Sequence, residues 1–217
     1  MSTALVLAGN RGGIDPVAAY AGATDKALIE IDGQTMLAHV VAALRAAGMT
    51  RILVSTASAP VIAHARDLGV EPIAAGPGPS ASARIAFVAA GAPLLVTTGD
   101  HPLLRAEWIE AFLRDVPAST DVAALLARRE SIERDAPPTR RTYLRFADGD
   151  WSGCNLFLLA TPKAVAALDL WERVERDRKR PWRLALVPLL PMLALAKSIG
   201  LFDRDRLKAL MHRTMLG

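Results

Sequence analysis

The sequence predicts a three-layer α/β/α fold around a mostly parallel β-sheet. Short apolar runs alternate along the chain with segments whose apolar residues recur at helical spacing. The connections between them are short, and strand–helix–strand units of this kind form right-handed crossovers. With 217 residues, 52% of them hydrophobic, the chain can bury one core, so we expect a single domain over 1–217. Ligands of such sheets bind at the carboxyl ends of the strands.

The first half of the chain accounts for the parallel sheet. Its predicted strands are Thr3–Ala8, Arg51–Ser55, Val70–Ile73 and Leu94–Thr98. Its predicted helices are Thr35–Ala47, Pro60–Leu68 and Ser80–Ala90. Gly48 follows the first helix, where a left-handed C-terminal cap favours glycine. Residues Gly9–Asp25 are expected to form a loop.

The second half of the chain departs from this alternation. Its predicted elements are a helix from near Leu104, a strand over Val122–Ala127, a charged loop over Arg128–Arg141, hairpin strands over Tyr143–Phe146 and Trp151–Leu159, and helices over Lys163–Arg176 and Asp203–Met215. Asp148-Gly149 is a dipeptide typical of tight hairpin turns. Thr161-Pro162 is a typical helix start, with threonine as the N-cap.

Composition limits the classes of partner. Only 5% of residues are aromatic, which leaves few surfaces for stacking bases, so we expect no nucleic-acid partner. Residues 1–100 hold 6 Lys/Arg and 7 Asp/Glu, and the rest of the chain holds 20 and 15. This C-terminal basic surplus suits anionic substrates or an acidic membrane surface. The single cysteine, Cys154, excludes an intramolecular disulfide and a multi-cysteine zinc site.

The two ends of the chain bear on its location. Met1-Ser2-Thr3 lacks the basic region of a signal peptide, so we expect a cytoplasmic protein. We expect the protein to be a monomer or a homodimer. Within 173–202, residues 173–183 hold six Lys/Arg and Trp182, and the apolar stretch Leu184–Ala196 follows, a pattern typical of peripheral membrane contact. An internal helix pair with a solvated basic face explains the same pattern.

The first predicted strand opens into a glycine-rich loop, Gly9-Asn10-Arg11-Gly12-Gly13. Glycines allow backbone amides to approach phosphates closely, and Arg11 would neutralise their charge. A dinucleotide-binding turn or a plain turn would look the same. The short-chain dehydrogenase pattern fails here, because Asp15 stands in place of its last glycine and no Tyr-x-x-x-Lys motif occurs.

The most specific signal is the order of five elements along the chain. They are the Leu-Ala-Gly loop, Lys26-Ala27-Leu28, a short strand, the turn Asp32-Gly33 and the Met36 helix. This order resembles the MobA-like nucleotidyltransferases, which have a Rossmann-like fold of the GT-A type. The resemblance implies that Lys26 stabilises charge at the phosphates. It also implies a nucleotide cradle made by Ala8, Gly9, Asn10, Gly12 and Gly13, with Arg11 as a further catalytic cation.

Thr97-Thr98-Gly99-Asp100-His101-Pro102 resembles the acidic motif that this family carries at the end of a central strand. The resemblance implies that Asp100 is a catalytic residue that binds Mg²⁺, a cation that prefers oxygen ligands. Asp100 could equally cap the helix that follows. His101 is assigned no role.

Two further sites follow from the resemblance. Family members hold the base and ribose at the start of the Ser80–Ala90 helix, which implies contacts from Gly78, Ser80 and Ser82, although both serines would also serve as helix caps. Asn155 lies on the strand that resembles the acceptor-binding strand of related transferases. Cys154 is interpreted as a small buried residue.

The sequence departs from the family in ways that bear on substrate choice. Asn10 replaces a common glycine, the loop before Lys26 is long, and a late acidic motif is represented only by Asp203 and Asp205. The predicted function is transfer of NMP from an NTP, CTP or GTP, to a phosphorylated acceptor, with residues 1–110 binding the nucleotide and 111–217 the acceptor. The alternatives are a glycosyltransferase using an NDP-sugar, which usually needs an Asp-x-Asp motif, and a non-catalytic nucleotide-binding module.

Overall fold

A computed structural model describes residues 2–9, 15–135 and 141–177 of the chain. The strands are β1 Thr3–Leu7, β2 Glu30–Ile31, β3 Gln34–Thr35, β4 Arg51–Ser55, β5 Glu71–Ile73, β6 Leu94–Thr98, β7 Val122–Arg128, β8 Leu144–Phe146 and β9 Gly149–Leu159. The helices are α1 Pro16–Tyr20, α2 Met36–Ala46, α3 Ala59–Asp67, α4 Pro79–Ala90, α5 Ala106–Asp115, α6 Arg129–Asp135 and α7 Val165–Asp177. Single 3-10 turns cover Lys26–Leu28 and Pro162–Ala164.

The main sheet has a parallel half and an antiparallel half. Its strand order is β5-β4-β1-β6-β9-β7, and β8 also pairs with β9. Strands β5, β4, β1 and β6 run parallel, whereas β9 is antiparallel to β6, β7 and β8. The predicted mostly parallel sheet with an added antiparallel hairpin is confirmed. β2 and β3 form a separate two-stranded hairpin.

Helices cover both faces of this sheet, as the three-layer prediction requires. On one face, apolar residues of α2, α3 and α5 pack on β1 and β4 side chains such as Val6 and Val54. On the other face, α4 and α7 pack on Leu5, Leu53 and Val96. Successive residues of a strand therefore pack into the cores on opposite faces of the sheet. This explains why the parallel strands are apolar at nearly every position.

Helix α2 shows why the sequence pattern was informative. Its buried residues follow the helical repeat and are Leu37, Val40, Val41 and Leu44. The Thr35 hydroxyl accepts a hydrogen bond from the Ala38 amide at 3.0 Å and caps the first turn. Gly48 follows the helix with φ of 78°, the left-handed conformation expected there.

Three local predictions were wrong. The predicted loop Gly9–Asp25 contains α1, because Asp15 caps it and Pro16 occupies its first position. The predicted loop Arg128–Arg141 contains α6, which an Arg129–Glu133 ion pair one turn apart stabilises.

The third error concerns the turn of the β8–β9 hairpin. The two turn residues are Ala147 and Asp148, because Gly149 already pairs with Phe146. Gly149 has a φ of 132°, so glycine is needed at the first strand position instead of within the turn. The hairpin itself is confirmed.

The C-terminal predictions fall largely outside the described residues. Thr161 caps the turn that leads into α7, and its hydroxyl accepts from the Lys163 amide at 3.3 Å. The predicted helix Asp203–Met215 and the apolar part of 173–202 lie beyond residue 177. Among the described helices, none is long and apolar enough to span a membrane.

Candidate functional site

The carboxyl ends of β1 and β6 lie side by side. Leu7 is in register with Thr98, and the Gly99 amide donates a hydrogen bond to the Leu7 carbonyl at 2.9 Å. The chain therefore leaves β1 toward the glycine-rich loop and leaves β6 toward Asp100 at the same edge of the sheet. Asp100 itself is exposed in the turn after β6.

Gly99 brings a third segment to this edge. A Cβ atom placed on Gly99 would lie 3.2 Å from the Cβ of Ala8 and 3.5 Å from the Cβ of Ala27. Ala8 precedes the glycine-rich loop, Ala27 follows Lys26, and Gly99 precedes Asp100. The three backbone segments next to the predicted phosphate and metal contacts are thus packed closely, and even a methyl group at position 99 would press on Ala8.

Lys26 begins a 3-10 turn and remains 37% exposed. Its Nζ atom lies 3.1 Å from Oδ2 of Asp15. Partial burial alone would raise the pKa of Asp15, but hydrogen bonds from the Ala18 and Val17 amides and the Lys26 ammonium outweigh it and lower that pKa. Asp15 therefore holds a negative charge beside the lysine and orients it.

Asp25 anchors the segment that carries Lys26. Its side chain is only 3% exposed, and its Oδ2 atom accepts a hydrogen bond from the Ser58 hydroxyl at 2.7 Å. Ser58 lies in the connection from β4 to α3, where its amide also donates to the Thr56 hydroxyl. This contact ties the lysine segment to a third strand end of the same edge.

His101, which follows Asp100, and Cys154 of β9 both have pKa values shifted in favour of their neutral forms. Burial lowers the pKa of His101, the Asp100 charge raises it, and the charge of Arg141 lowers it further, with a net decrease. Burial raises the pKa of Cys154 to about 11, although Arg141 opposes the shift. Cys154 was predicted to be buried and is partly buried, and its raised pKa leaves the thiol unsuited to act as a thiolate nucleophile.

Asn155 occupies a bulge in β9. Ala124 pairs with Phe157 and Leu126 with Gly153, so β9 uses four residue steps where β7 uses two. Asn155 lies within the extra residues with φ of 52°, and its side chain is exposed. Bulges of this kind often re-aim side chains beside functional sites. The bulge places the exposed Asn155 between the stretch of β9 that pairs with β6 and the stretch that pairs with β8.

The first turn of α4 has a partner that the sequence did not indicate. Glu175 of α7 accepts hydrogen bonds from the Ser80 amide at 3.2 Å and the Ser80 hydroxyl at 2.5 Å. A Cβ on Gly78 would lie 2.3 Å from Oε1 of the same carboxylate. Ser82 accepts from the Gly76 amide at 3.0 Å. A nucleotide contact at Gly78 or Ser80 would therefore involve Glu175 or displace it.

Sequence reasoning missed the roles of Asp15, Asp25 and Glu175. Asp15-Pro16 carries a detectable signal, since an acidic N-cap before proline marks a helix start. No local pattern reveals Glu175, which is 95 residues from Ser80. The predicted contacts Asn10, Arg11, Gly12 and Gly13 lie outside the described residues, so their placement stays a prediction.

Comparison with known proteins agrees with this geometry. The model of the MobA-like NTP transferase domain matches residues 4–187. A hypothetical transferase structure from Thermus thermophilus is 30% identical, with a TM-score of 0.70 over 100% of this chain and 89% of that one. A nucleotidyl transferase from Methanothermobacter is 25% identical, with a TM-score of 0.52 over 72% of this chain and 70% of that one.

A more partial similarity links the chain to a sugar-acid enzyme. The 3-deoxy-manno-octulosonate cytidylyltransferase of Anaeromyxobacter sp. is 34% identical over 106 residues. That alignment covers 46% of this chain and 43% of the relative, so the chain matches less than half of that enzyme's length. The family match and the full-length structural similarity together identify the chain as a member of the MobA-like NTP transferase family.

Proposed function

We propose that the protein transfers an NMP group from an NTP to a phosphorylated small-molecule acceptor and releases pyrophosphate. The observation that carries this proposal is the close packing of Gly99 on Ala8 and Ala27, since these residues are next to Gly9, Asp100 and Lys26 in the chain. CTP and GTP are the favoured nucleotides. Similarity to a cytidylyltransferase favours CTP of the two.

The proposed reaction asks little covalent work of the protein. An oxygen of the acceptor phosphate attacks the α-phosphorus, a new P–O bond forms, and the bond to the bridging oxygen of pyrophosphate breaks. Lys26, held by Asp15, and Arg11 stabilise the negative charge of the phosphates. The amides of the loop after Ala8 position the triphosphate, and Asn155 contacts the acceptor.

The residues at the strand end fit a magnesium ion that arrives with the nucleotide. Among the described residues there is no cluster of three or more metal-ligating side chains. Mg²⁺ is commonly held by one or two carboxylates together with waters and substrate phosphates, and the exposed carboxylate of Asp100 supplies such a ligand. When bound, the ion would neutralise charge on the phosphate oxygens.

Pyrophosphate release tests the proposal. The protein is assayed with each of the four NTPs and with sugar phosphates, polyol phosphates and molybdopterin as acceptors. We expect turnover with CTP or GTP that Asp100→Ala lowers by about 100-fold or more. Asp67→Ala, which alters an exposed carboxylate at the end of α3, is the matched control. Undiminished turnover in Asp100→Ala would refute the assignment of the metal ligand.

A further inference from the structure

The antiparallel half of the sheet has a gap beside β6. At Trp151, β9 pairs with Arg128 of β7 on one edge and with Leu144 of β8 on the other. At Leu159, it pairs with β7 and with β6. Strands β6 and β8 therefore share one edge of β9. Of the described strands, none pairs with residues 152–156 on that edge, and we call this interval the sheet gap.

Two chain segments flank the sheet gap. From one side, β6 ends at Thr98 and the chain turns through Asp100 and His101. From the other side, the chain enters β8 from Arg141, three residues before Leu144. The bulge with Asn155 lies between them on β9. A ligand in the gap would thus touch the strand end that carries Asp100.

The strand register places Arg141 at the sheet gap. Leu144 of β8 pairs with Trp151 of the antiparallel β9, so Arg141, three residues before Leu144, corresponds to Cys154, three residues after Trp151. The positive charge of Arg141 opposes the rise that burial causes in the pKa of Cys154, in agreement with this placement. Arg141 therefore stands opposite the interval of β9 that carries Asn155.

The Arg141 guanidinium has no ion-pair partner among the described residues, and its side chain is exposed. Two other arginines of this region are engaged: Arg128 lies over the Trp151 ring at 4.9 Å, and Arg129 pairs with Glu133 and Asp150. The buried Thr98 hydroxyl at the end of β6 also lacks a hydrogen-bond partner within the described part of the chain. Within the described ranges, the sheet gap is thus flanked by a cation without an ion-pair partner, and a hydroxyl without a hydrogen-bond partner lies two residues before Asp100.

We propose that Arg141 binds the anionic group of the acceptor, a phosphate or a carboxylate, in the sheet gap and so determines acceptor specificity. This inference rests on the proposed function. A guanidinium donates two parallel hydrogen bonds to either oxyanion, which fixes orientation as well as charge. An acceptor held there faces the carboxyl end of β6, where the proposed reaction places the α-phosphate.

The main test compares kinetic constants of variants. With CTP and Mg²⁺, acceptors carrying a phosphate, acceptors carrying a carboxylate such as 3-deoxy-manno-octulosonate, and neutral polyols are assayed for pyrophosphate release. We expect turnover only with an anionic class, which identifies the source of the anion. Arg141→Ala should raise the acceptor KM by about tenfold or more and leave the CTP KM within about twofold. Arg141→Lys should restore part of the loss.

Arg145→Ala is the matched control, since Arg145 is also exposed and lies on β8. Equal effects of Arg141→Ala and Arg145→Ala, or an unchanged acceptor KM, would overturn the inference. If no acceptor supports turnover, the proposed function fails, and calorimetric titration with inorganic phosphate then decides the anion site. Binding that Arg141→Ala abolishes and Arg145→Ala retains supports the site, and equal binding by both variants rejects it.

Discussion

Glu175 near the end of α7 accepts hydrogen bonds from both the amide and the hydroxyl of Ser80 in the first turn of α4. A carboxylate suits this position, because the free amides of a helix N-terminus favour negative charge. Arg84 extends the contact between the two helices through ion pairs with Asp169 and Glu172. Helix α7 is thereby fixed to the part of the fold that carries the predicted base and ribose contacts.

Glu175→Ala is expected to destabilise the protein. Ser80 is 3% exposed, so the variant leaves a buried amide and hydroxyl without their partner, at a cost of about 1–3 kcal/mol. Urea denaturation monitored by circular dichroism measures the change. Glu110→Ala, an exposed position on α5, should shift stability by less than about 0.5 kcal/mol. Equal stability of the two variants would show that the Glu175 contact contributes nothing.

Gly99→Val is expected to reduce turnover strongly and to leave most of the folding stability in place. Its Cβ would already lie 3.2 Å from the Cβ of Ala8, and the added methyl groups would push the glycine-rich loop and the lysine segment away from Asp100. Displacements approaching 1 Å reduce catalysis by about 10–100-fold. Gly99→Ala should give an intermediate loss, and thermal melts of both variants report stability. Full turnover in Gly99→Val would show that this close approach is unnecessary.

Cys154 is expected to resist alkylation. With its pKa raised to about 11, about 0.1% of the thiol is ionised at pH 8, compared with roughly a quarter of an ordinary cysteine. Because the chain has one cysteine, the rate of iodoacetamide labelling reports this site alone. We predict labelling about 100-fold slower in the native protein than in urea. Similar rates in both states would mean that Cys154 is accessible and ionised.

Asp15→Asn is expected to reduce stability in a pH-dependent way. Asparagine can still cap α1, so the variant removes chiefly the charge beside Lys26. Since folding lowers the pKa of Asp15, its contribution is complete above the unfolded value of 3.8 and is lost as the pH falls through the folded value. The stability difference between wild type and variant should shrink from pH 7 to below about pH 4. Urea midpoints at several pH values measure it, and a difference that is constant with pH would contradict the assignment.

The parallel sheet was predictable because its signal is local. Strands Arg51–Ser55 and Leu94–Thr98 match the prediction at both ends, since each is an apolar run bounded by polar or small residues. Helix α2, predicted over Thr35–Ala47, differs by one residue at each end, and its buried residues have the helical spacing that predicted it. Helix α1 was not predicted, because the glycines before and after it indicate a loop. The helix start at Asp15 and Pro16 is a weaker signal.

The placement of candidate site residues was predictable only where they follow strand ends. Ala8 directly follows β1 and Asp100 lies two residues after β6, so the parallel pairing of these strands brings both to the same end of the sheet. The partners that hold the site depend on long-range packing: Ser58 lies 33 residues from Asp25, and Glu175 lies 95 residues from Ser80. No period or motif in the sequence encodes such pairs.

The separation of β6 and β8 along β9 also bears on how this family can diversify. Among the described strands, β8 pairs with β9 alone, so insertions or substitutions at the tip of the β8–β9 hairpin need not disturb the pairing of β6 with β1. If the hairpin selects the acceptor, as proposed, evolution could replace it while the nucleotide half is inherited intact. Swapping residues 141–150 between homologues is then expected to change acceptor choice and to leave nucleotide choice unchanged.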